Sequence, residues 1–503
     1  MIRIDGDHLS VADVVRVARG REPVEVSGKA LERIAASRAF LEQCIGRGDT
    51  IYGVNTGIGH LAQVAVATED LVELQRNIVR SHAAGTGPDL DDDEVRAVLL
   101  LKLNLFAKGV SGVRPELVKA LAAMLAADVL PVVPAKGSLG ASGDLAPLSH
   151  VALGLIGEGE ARRDGRRGAA GDLLREAGLE PFSLSYKEGL GLINGCQVMA
   201  GRGALLAHDA RILLKTAQLV AVATLDVLCA SERPFDQKVH AARPYPGQQA
   251  VARNLHRLLS CDRRRDARVQ DAYSLRCVPQ ILGGISDAFD DLDRRLAVEI
   301  NAASDNPLVF AEAGEVIAAG NFHGESLALA LDHFGVALSE IASLVERQVN
   351  RLLNPALSGL PAFLAPQNGR NSGLMILQYT AASLVSENKI LAHPASVDSI
   401  PVSADQEDHV SMGATSVHKA AEIARNVADV VAVGVLCATQ ASDLLGDVPR
   451  SPATRALTAA VREEIPFWDE DRYASHDLRR VSHLVRSGRL LAAVEDEVGA
   501  LES

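Results

Sequence analysis

Along most of this chain apolar residues return every three or four positions, the spacing of one helix face, and strict alternation is confined to short stretches. In "EDLVELQRNIVRSHAAG", Leu71, Leu74, Ile78 and His82 fall on one face, Thr68 precedes them as the expected N-cap and Gly85 as the stop, so His82 is expected to point inward. Two more helices are expected around 92–108 and 114–128, after a short strand at "MIRI" and a small helical region. From about residue 196 the breakers thin out, and long helices are expected at 197–230, 280–303, 324–353, 371–391 and 408–445. In the third of these, Leu331, Phe334, Leu338, Ile341, Val345 and Leu352 keep a three-four spacing interrupted by Gln348, the seam of an antiparallel bundle. "DVVAVGVLCATQAS" is apolar nearly all round, which points to burial deep in a bundle or at a subunit interface. The expected fold is mainly all-α. A helical N-terminal domain, 1–195, carries the candidate active-site loops, and a long-helix bundle and oligomerisation domain, 196–503, follows in a homo-oligomer.

Composition agrees with packed helices: 48% of residues are hydrophobic but only 3% aromatic, so the core is built from Ala, Leu and Val. A net charge of −13 without a basic run argues against nucleic acid and anionic lipid as partners. The N-terminus has no apolar signal core, and charges are expected to break the apolar runs before they span a bilayer, so no membrane partner and a cytoplasmic location are expected. Cys44, Cys196, Cys229, Cys261, Cys277 and Cys437 form no C-x-x-C pair, which predicts reduced thiols, no disulfide framework and no metal site. "CDRRRDAR" reads as a surface loop.

Two Gly-rich loops interrupt the helical pattern, "YGVNTGIGH" at 52–60 and "GSLGASGDLAPLSH" at 137–150. Polar residues stranded in apolar or Gly-rich settings add Asn194 in "GLINGCQ", Tyr273 and Arg276 in "QDAYSLRC", "GNFHGE" at 320–325 and "QEDH" at 406–409. Each has an ordinary reading: Tyr52 as a turn tyrosine, Asn194 as a left-handed residue before Gly195, Arg276 as a buried ion-pair partner, and Glu407 as the carboxylate that opens the last long helix. Asp144 is expected to cap the helix that begins after it, with Pro147 harmless in the first turn.

The Ala141-Ser142-Gly143 loop admits three readings. One is a capping turn. A second is a serine nucleophile with His150 as base, but a nucleophile elbow needs Gly two places either side of the Ser, and here Gly143 is adjacent and Asp144 takes the second place. In the third, the unhindered nitrogen of Gly143 approaches the Ala141 carbonyl, and the ring so formed loses water, including the Ser142 hydroxyl.

"GSLGASGDLAPLSH" resembles the signature of the aromatic amino acid ammonia-lyase family. The similarity runs from about residue 50 to 445 through "YGVNTGIG", "RSHAAGTGP", "INGCQ", "VQDAYSLRC", "SDNPL", "GNFHGE" and "HPASVDSIPVSADQEDHVSMG". The resemblance implies that Ala141, Ser142 and Gly143 form a 4-methylidene-imidazol-5-one group without any external cofactor. It implies Tyr52 as the general base for the substrate's β-proton, with its pKa lowered by its surroundings. Arg276 would clamp the substrate carboxylate, Asn194 would bond the carboxylate or the ring, Gln270 and Tyr273 would complete the polar shell, and Phe322 would pack near the cofactor. A homotetramer with active sites shared between subunits is also implied.

Substrate choice rests on Ser81-His82 and "QED". These match the members that act on histidine, where Glu407 and His82 give a polar imidazole the partners it needs in a buried pocket. The implied reaction is elimination of ammonia from L-histidine to give trans-urocanate. Asp405, Cys196 and Val278 depart from the usual pattern of those members. The rivals are a phenylalanine or tyrosine ammonia-lyase or 2,3-aminomutase of the same family, a pyridoxal enzyme using Lys136, and a non-enzymatic helical assembly.

Overall fold

The structure, a computed structural model, describes residues 1–259, 269–367 and 369–502. The whole "CDRRRDAR" stretch, with Cys261, lies outside the described residues. Helices dominate, and the strands are two to four residues long. The chain groups into two compact units. The first comprises Met1–His208, Leu292–Asp332 and Pro394–His418, and the second Asp209–Asp291, His333–His393 and Lys419–Ser503. This grouping is discontinuous, which a division at 195/196 does not describe.

In the Met1–His208 segment of the first unit the helices are α1 (Val11–Ala18), α2 (Gly28–Gly46), α3 (Leu71–His82), α4 (Asp92–Ala107), α5 (Pro115–Ala126), α6 (Leu145–Leu155), α7 (Ala170–Glu176), α8 (Glu188–Ile193) and the start of α9 (Gln197–Val227). Capping chemistry fixes several starts: Ser10 with Asp13 and Asp91 with Glu94 close capping boxes on α1 and α4. Every residue of α4 from Val95 to Ala107 is buried, so its polar members need internal partners. Asn104 donates to the Ile300 carbonyl and Arg96 to that of Val17. Short antiparallel pairings brace the loops, among them Thr86–Asp89 with Pro134–Lys136 and Leu308–Phe310 with Glu315–Ile317.

Two expected caps are corrected. Thr68 lies inside a short 3-10 turn, Thr68–Asp70, so α3 starts after Asp70 with no side-chain cap. Asp144 precedes α6 but does not cap it. Its Oδ2 instead accepts from the backbone N–H groups of Val198 and Met199, the first turn of α9.

In the second unit the expected seam is realised: Phe334, Leu338, Ile341, Val345 and Leu352 are fully buried, and Gln348, equally buried, donates to the Ser274 carbonyl at 3.0 Å. Val430, Val431, Val433 and Val435 are fully buried too, which accounts for the all-round apolar pattern of Gly413–Leu444. That helix and Glu325–Leu353 are long and apolar enough to cross a membrane by length and composition, so charges do not interrupt every apolar run as expected. Most of their apolar surface is buried inside the protein, as in the core helices of a bundle.

Candidate active site

The 141–144 turn is bent sharply and held from both ends. Ser142 and Gly143 have φ of 53° and 81°, the left-handed region that costs a residue with a Cβ. Gly195 brackets them: its N–H donates to the Ser142 carbonyl at 3.3 Å, and its own carbonyl accepts from Asp144 N at 2.8 Å. A Cβ on Gly143 would lie 2.2 Å from that carbonyl oxygen, so only glycine fits. Gly143 N also points back to the Gly140 carbonyl at 3.3 Å. His150 Nε2 accepts from Gly85 N at 3.1 Å and does not line the cavity at Ser142, so it does not serve as a base there.

Three elements assemble around the turn. α3 supplies His82 at its end and Gln75 within it. The Gln75 side chain donates to the Gly53 carbonyl at 3.1 Å and accepts from Leu190 N at 3.0 Å, joining the Tyr52 loop to α8. α8 ends at Asn194, which is buried and extended (φ −74°, ψ 144°) rather than left-handed, with its amide donating to the Asn306 carbonyl at 3.0 Å. Glu407 precedes the helix Gly413–Leu444 by several residues, so it does not open that helix. It closes a tight backbone bridge with Val402, across Ser403, Ala404 and Asp405, all with positive φ.

A cavity of about 470 Å³ lies among these elements, lined by Tyr52, Ile58, Gly59, His60, Leu61, His82, Ser142, Leu145, Leu190, Ile193, Asn194, Ser403, Ala404 and Glu407. That volume suits a small-molecule substrate. The Nδ1 of His82 lies 2.8 Å from the Ile78 carbonyl, which can only accept, so Nδ1 carries a hydrogen and in the neutral ring Nε2 is the acceptor. His82 is half-buried rather than fully inward. Burial raises the pKa of Glu407, with the nearby His82 opposing it.

The Tyr52 hydroxyl accepts from Gly59 N at 2.9 Å. This bond favours the phenolate, but burial and then the Glu407 charge work against it, and the net shift is upward. The expected lowering is therefore absent here, because a half-buried phenol beside a carboxylate finds no cation among the described residues to stabilise its ionised form.

Tyr52, His82, Ser142, Asn194 and Glu407 are thus brought together, with Ala141 and Gly143 adjoining Ser142. Gln270, Tyr273, Arg276 and Phe322, also expected at the site, are not among the residues that line this cavity. Gln270, Tyr273 and Arg276 belong to the second unit and cluster with one another: the Arg276 guanidinium donates to the Gln270 side chain at 3.3 Å and to the Asp271 carbonyl at 2.9 Å, and sits 4.7 Å from the Tyr273 ring. Arg276 has no carboxylate partner among the described residues, so it is not a buried ion-pair member. Phe322 is half-buried, and its carbonyl accepts from the Cys196 thiol at 3.1 Å.

The pattern along the chain did not single out an ionisable group around Asn194, with Lys102 and Asp144 buried and Glu299 half-buried. Burial lowers Lys102 to about 7 and raises Asp144 and Glu299 to about 7. Cys196 is raised by burial, with the Glu299 charge adding to it. Lys102 carried one sequence signal, as the lone charge in "AVLLLKLNLFA". His323, Glu325 and His409 form a group whose donor atoms lie within 4.8 Å of one another, whereas zinc bonds of about 2.0–2.2 Å draw ligand atoms to about 3.5 Å. The two imidazoles stack on each other, with ring centres 5.7 Å apart.

The family model described as aromatic amino acid lyase matches residues 9–463. The chain is 46% identical over 503 residues to a protein named histidine ammonia-lyase from Caldanaerobacter subterraneus subsp. tengcongensis, covering 99% of each. Among solved structures, the histidine ammonia-lyase of Trypanosoma cruzi superposes with a TM-score of 0.92 at 39% identity, covering 99% of this chain and 95% of that one. The tyrosine aminomutase of Streptomyces globisporus gives 0.95 at 38% identity, covering 100% of both chains.

Proposed function

This chain belongs to the aromatic amino acid lyase family, and from that premise we infer that it eliminates ammonia from L-histidine to give trans-urocanate, the first step of histidine catabolism. The observation that carries the choice of substrate is the His82–Glu407 pair on one cavity with Tyr52, Ser142 and Asn194. A neutral imidazole offers an N–H to one of the two acceptors, Glu407 or the His82 Nε2, and the doubly protonated ring offers one to each. A phenyl ring would leave a half-buried carboxylate unpaired, at a cost of about 1–3 kcal/mol. Identity of 45–49% to full-length proteins named histidine ammonia-lyase, against 38% to the tyrosine aminomutase, supports the same choice over an aminomutase or a phenylalanine or tyrosine lyase.

The 141–143 turn fits the prosthetic group that the family implies: it is already bent, and its glycine has no room for a side chain. In this reading Gly143 N bonds to the Ala141 carbonyl carbon with loss of one water, and a second water carries off the Ser142 hydroxyl with its Cα hydrogen. The resulting 4-methylidene-imidazol-5-one supplies an electrophilic carbon for the substrate. Tyr52 takes the β-proton, and Asn194 offers a buried amide to the carboxylate or the ring.

We take the working form to be a homotetramer in which another subunit brings Gln270, Tyr273, Arg276 and Phe322 to the site. The 69% exposure of Tyr273 and the lack of a carboxylate partner for Arg276 among the described residues support this, as do the exposed apolar residues Ile376, Tyr379 and Ile390 on one helix. Arg276 would clamp the substrate carboxylate, and its charge would lower the pKa of Tyr52, which this chain alone raises. The enzyme would act in the cytoplasm on a small molecule, with neither nucleic acid nor membrane as partner.

The test supplies purified protein, without added cofactor, with histidine, phenylalanine and tyrosine separately. Ultraviolet absorbance follows the conjugated acid, and chromatography detects any β-amino acid. Urocanate from histidine alone is expected; a product only from phenylalanine or tyrosine rejects the substrate.

A further inference from the structure

Lys102 is fully buried in α4 and makes no ion pair among the described residues. Its ammonium donates to two backbone carbonyls, Asn194 at 2.6 Å and Gly191 at 3.2 Å. Both lie at the end of α8, where the last carbonyls of a helix have no partner within it. A hydroxyl, an amide or a bound water could satisfy such carbonyls, and burying a lysine, whose charged form that burial opposes, is among the costlier ways to do so. That cost calls for a return beyond capping.

The return lies one residue further on. Asn194 leads directly into Gly195, whose N–H and carbonyl hold Ser142 and Asp144 on either side of Gly143. Asn194 is fixed a second time through its side chain, which bonds the Asn306 carbonyl next to Asp305. Asp305 in turn pairs with Lys187 at the start of α8, at 2.7 Å with both side chains fully buried. The short helix is thus pinned at its start by one buried lysine and at its end by another, and the turn hangs on that second end.

We infer that Lys102 is a positioning residue for ring closure: by fixing Asn194 and Gly195 it holds Ser142, Gly143 and Asp144 in the bend from which Gly143 N reaches the Ala141 carbonyl carbon. The inference rests on the reading that this triplet cyclises.

Lys102→Met, Lys102→Gln and Lys102→Arg are expressed as full-length protein beside the wild type. Each is measured by mass spectrometry of the peptide spanning 137–150, by the ultraviolet absorbance of the ring and by circular dichroism. The wild type is expected two waters lighter than encoded. Met and Gln variants are expected to keep native helix content while closing about 10²-fold more slowly, the effect of a misplacement of about 1 Å, and Arg to restore closure. A Met or Gln variant that loses both waters as fast and as completely as the wild type overturns the inference. If the Met variant does not fold, the Gln variant decides by its closure rate. A wild type at full encoded mass overturns the cyclisation reading itself, which separates that failure from a failure of Lys102 alone.

Discussion

Gly143→Ala isolates what the turn contributes. Two costs can be worked from the geometry. The first is conformational: φ of 81° lies in the left-handed region, where a Cβ costs about 1–2 kcal/mol. The second is steric, because the new Cβ would sit 2.2 Å from Gly195 O and 2.5 Å from Gly195 C, backbone atoms that no rotamer change moves aside. Reaching an ordinary contact requires a shift of about 1 Å, which opens the bonds from Asp144 N to Gly195 O and from Gly195 N to Ser142 O, at about 1 kcal/mol each. The expected total is about 3–4 kcal/mol. Gly165→Ala is the matched control: its φ is 74° with nothing within 4 Å of the added Cβ, so it bears the first cost alone, about 1–2 kcal/mol. Thermal melting of the two variants, with the mass of the 137–150 peptide, measures both consequences. The expected result is a clearly larger loss of melting temperature for Gly143→Ala, together with retention of the waters. A Gly143 variant as stable as the Gly165 variant, and fully cyclised, would refute the claim that Gly195 clamps the turn.

Two further predictions concern the half-buried carboxylates Glu407 and Glu299. Glu407→Gln should lower kcat/KM for histidine by about 10–10²-fold, the worth of a charged hydrogen bond, and leave the melting temperature unchanged or higher; steady-state kinetics with an unaltered value would remove Glu407 from substrate binding. Glu299 titrates near 7 in the folded chain against an ordinary 4.5, so the folded state holds its proton more tightly and stability falls as pH rises from about 4.5 to about 7. Glu299→Gln removes that dependence: its advantage in melting temperature over the wild type should grow across this range and level off above it, and a difference that is flat with pH contradicts the burial of an ionisable Glu299.

The helical class, the five long helices and the special character of the 137–150 turn were all legible in the chain itself, because helix period, breakers and glycine freedom are local properties. Helix ends came out within a few residues wherever a local cap governed them, as at α4. They failed where the partner is remote: Asp144 spends its carboxylate on α9, not on the helix it precedes. The candidate site was legible as a set of suspicious residues but not as a geometry. His82 and Glu407 are far apart in sequence, and only the packing of α3 against the loops brings them to one cavity. The direction of the Tyr52 shift likewise depends on burial and on Glu407, neither of which periodicity reveals.

What the sequence determined by itself was therefore the kind of structure and the chemistry on offer: helices wherever apolar residues recur at the helical period, and a Gly-rich turn that can bend upon itself. Only the tertiary structure decided which polar groups meet, how deeply each is buried, and that Lys102 stands behind Asn194. Those outcomes are set by contacts between distant segments and by the desolvation such contacts impose, which no local pattern encodes.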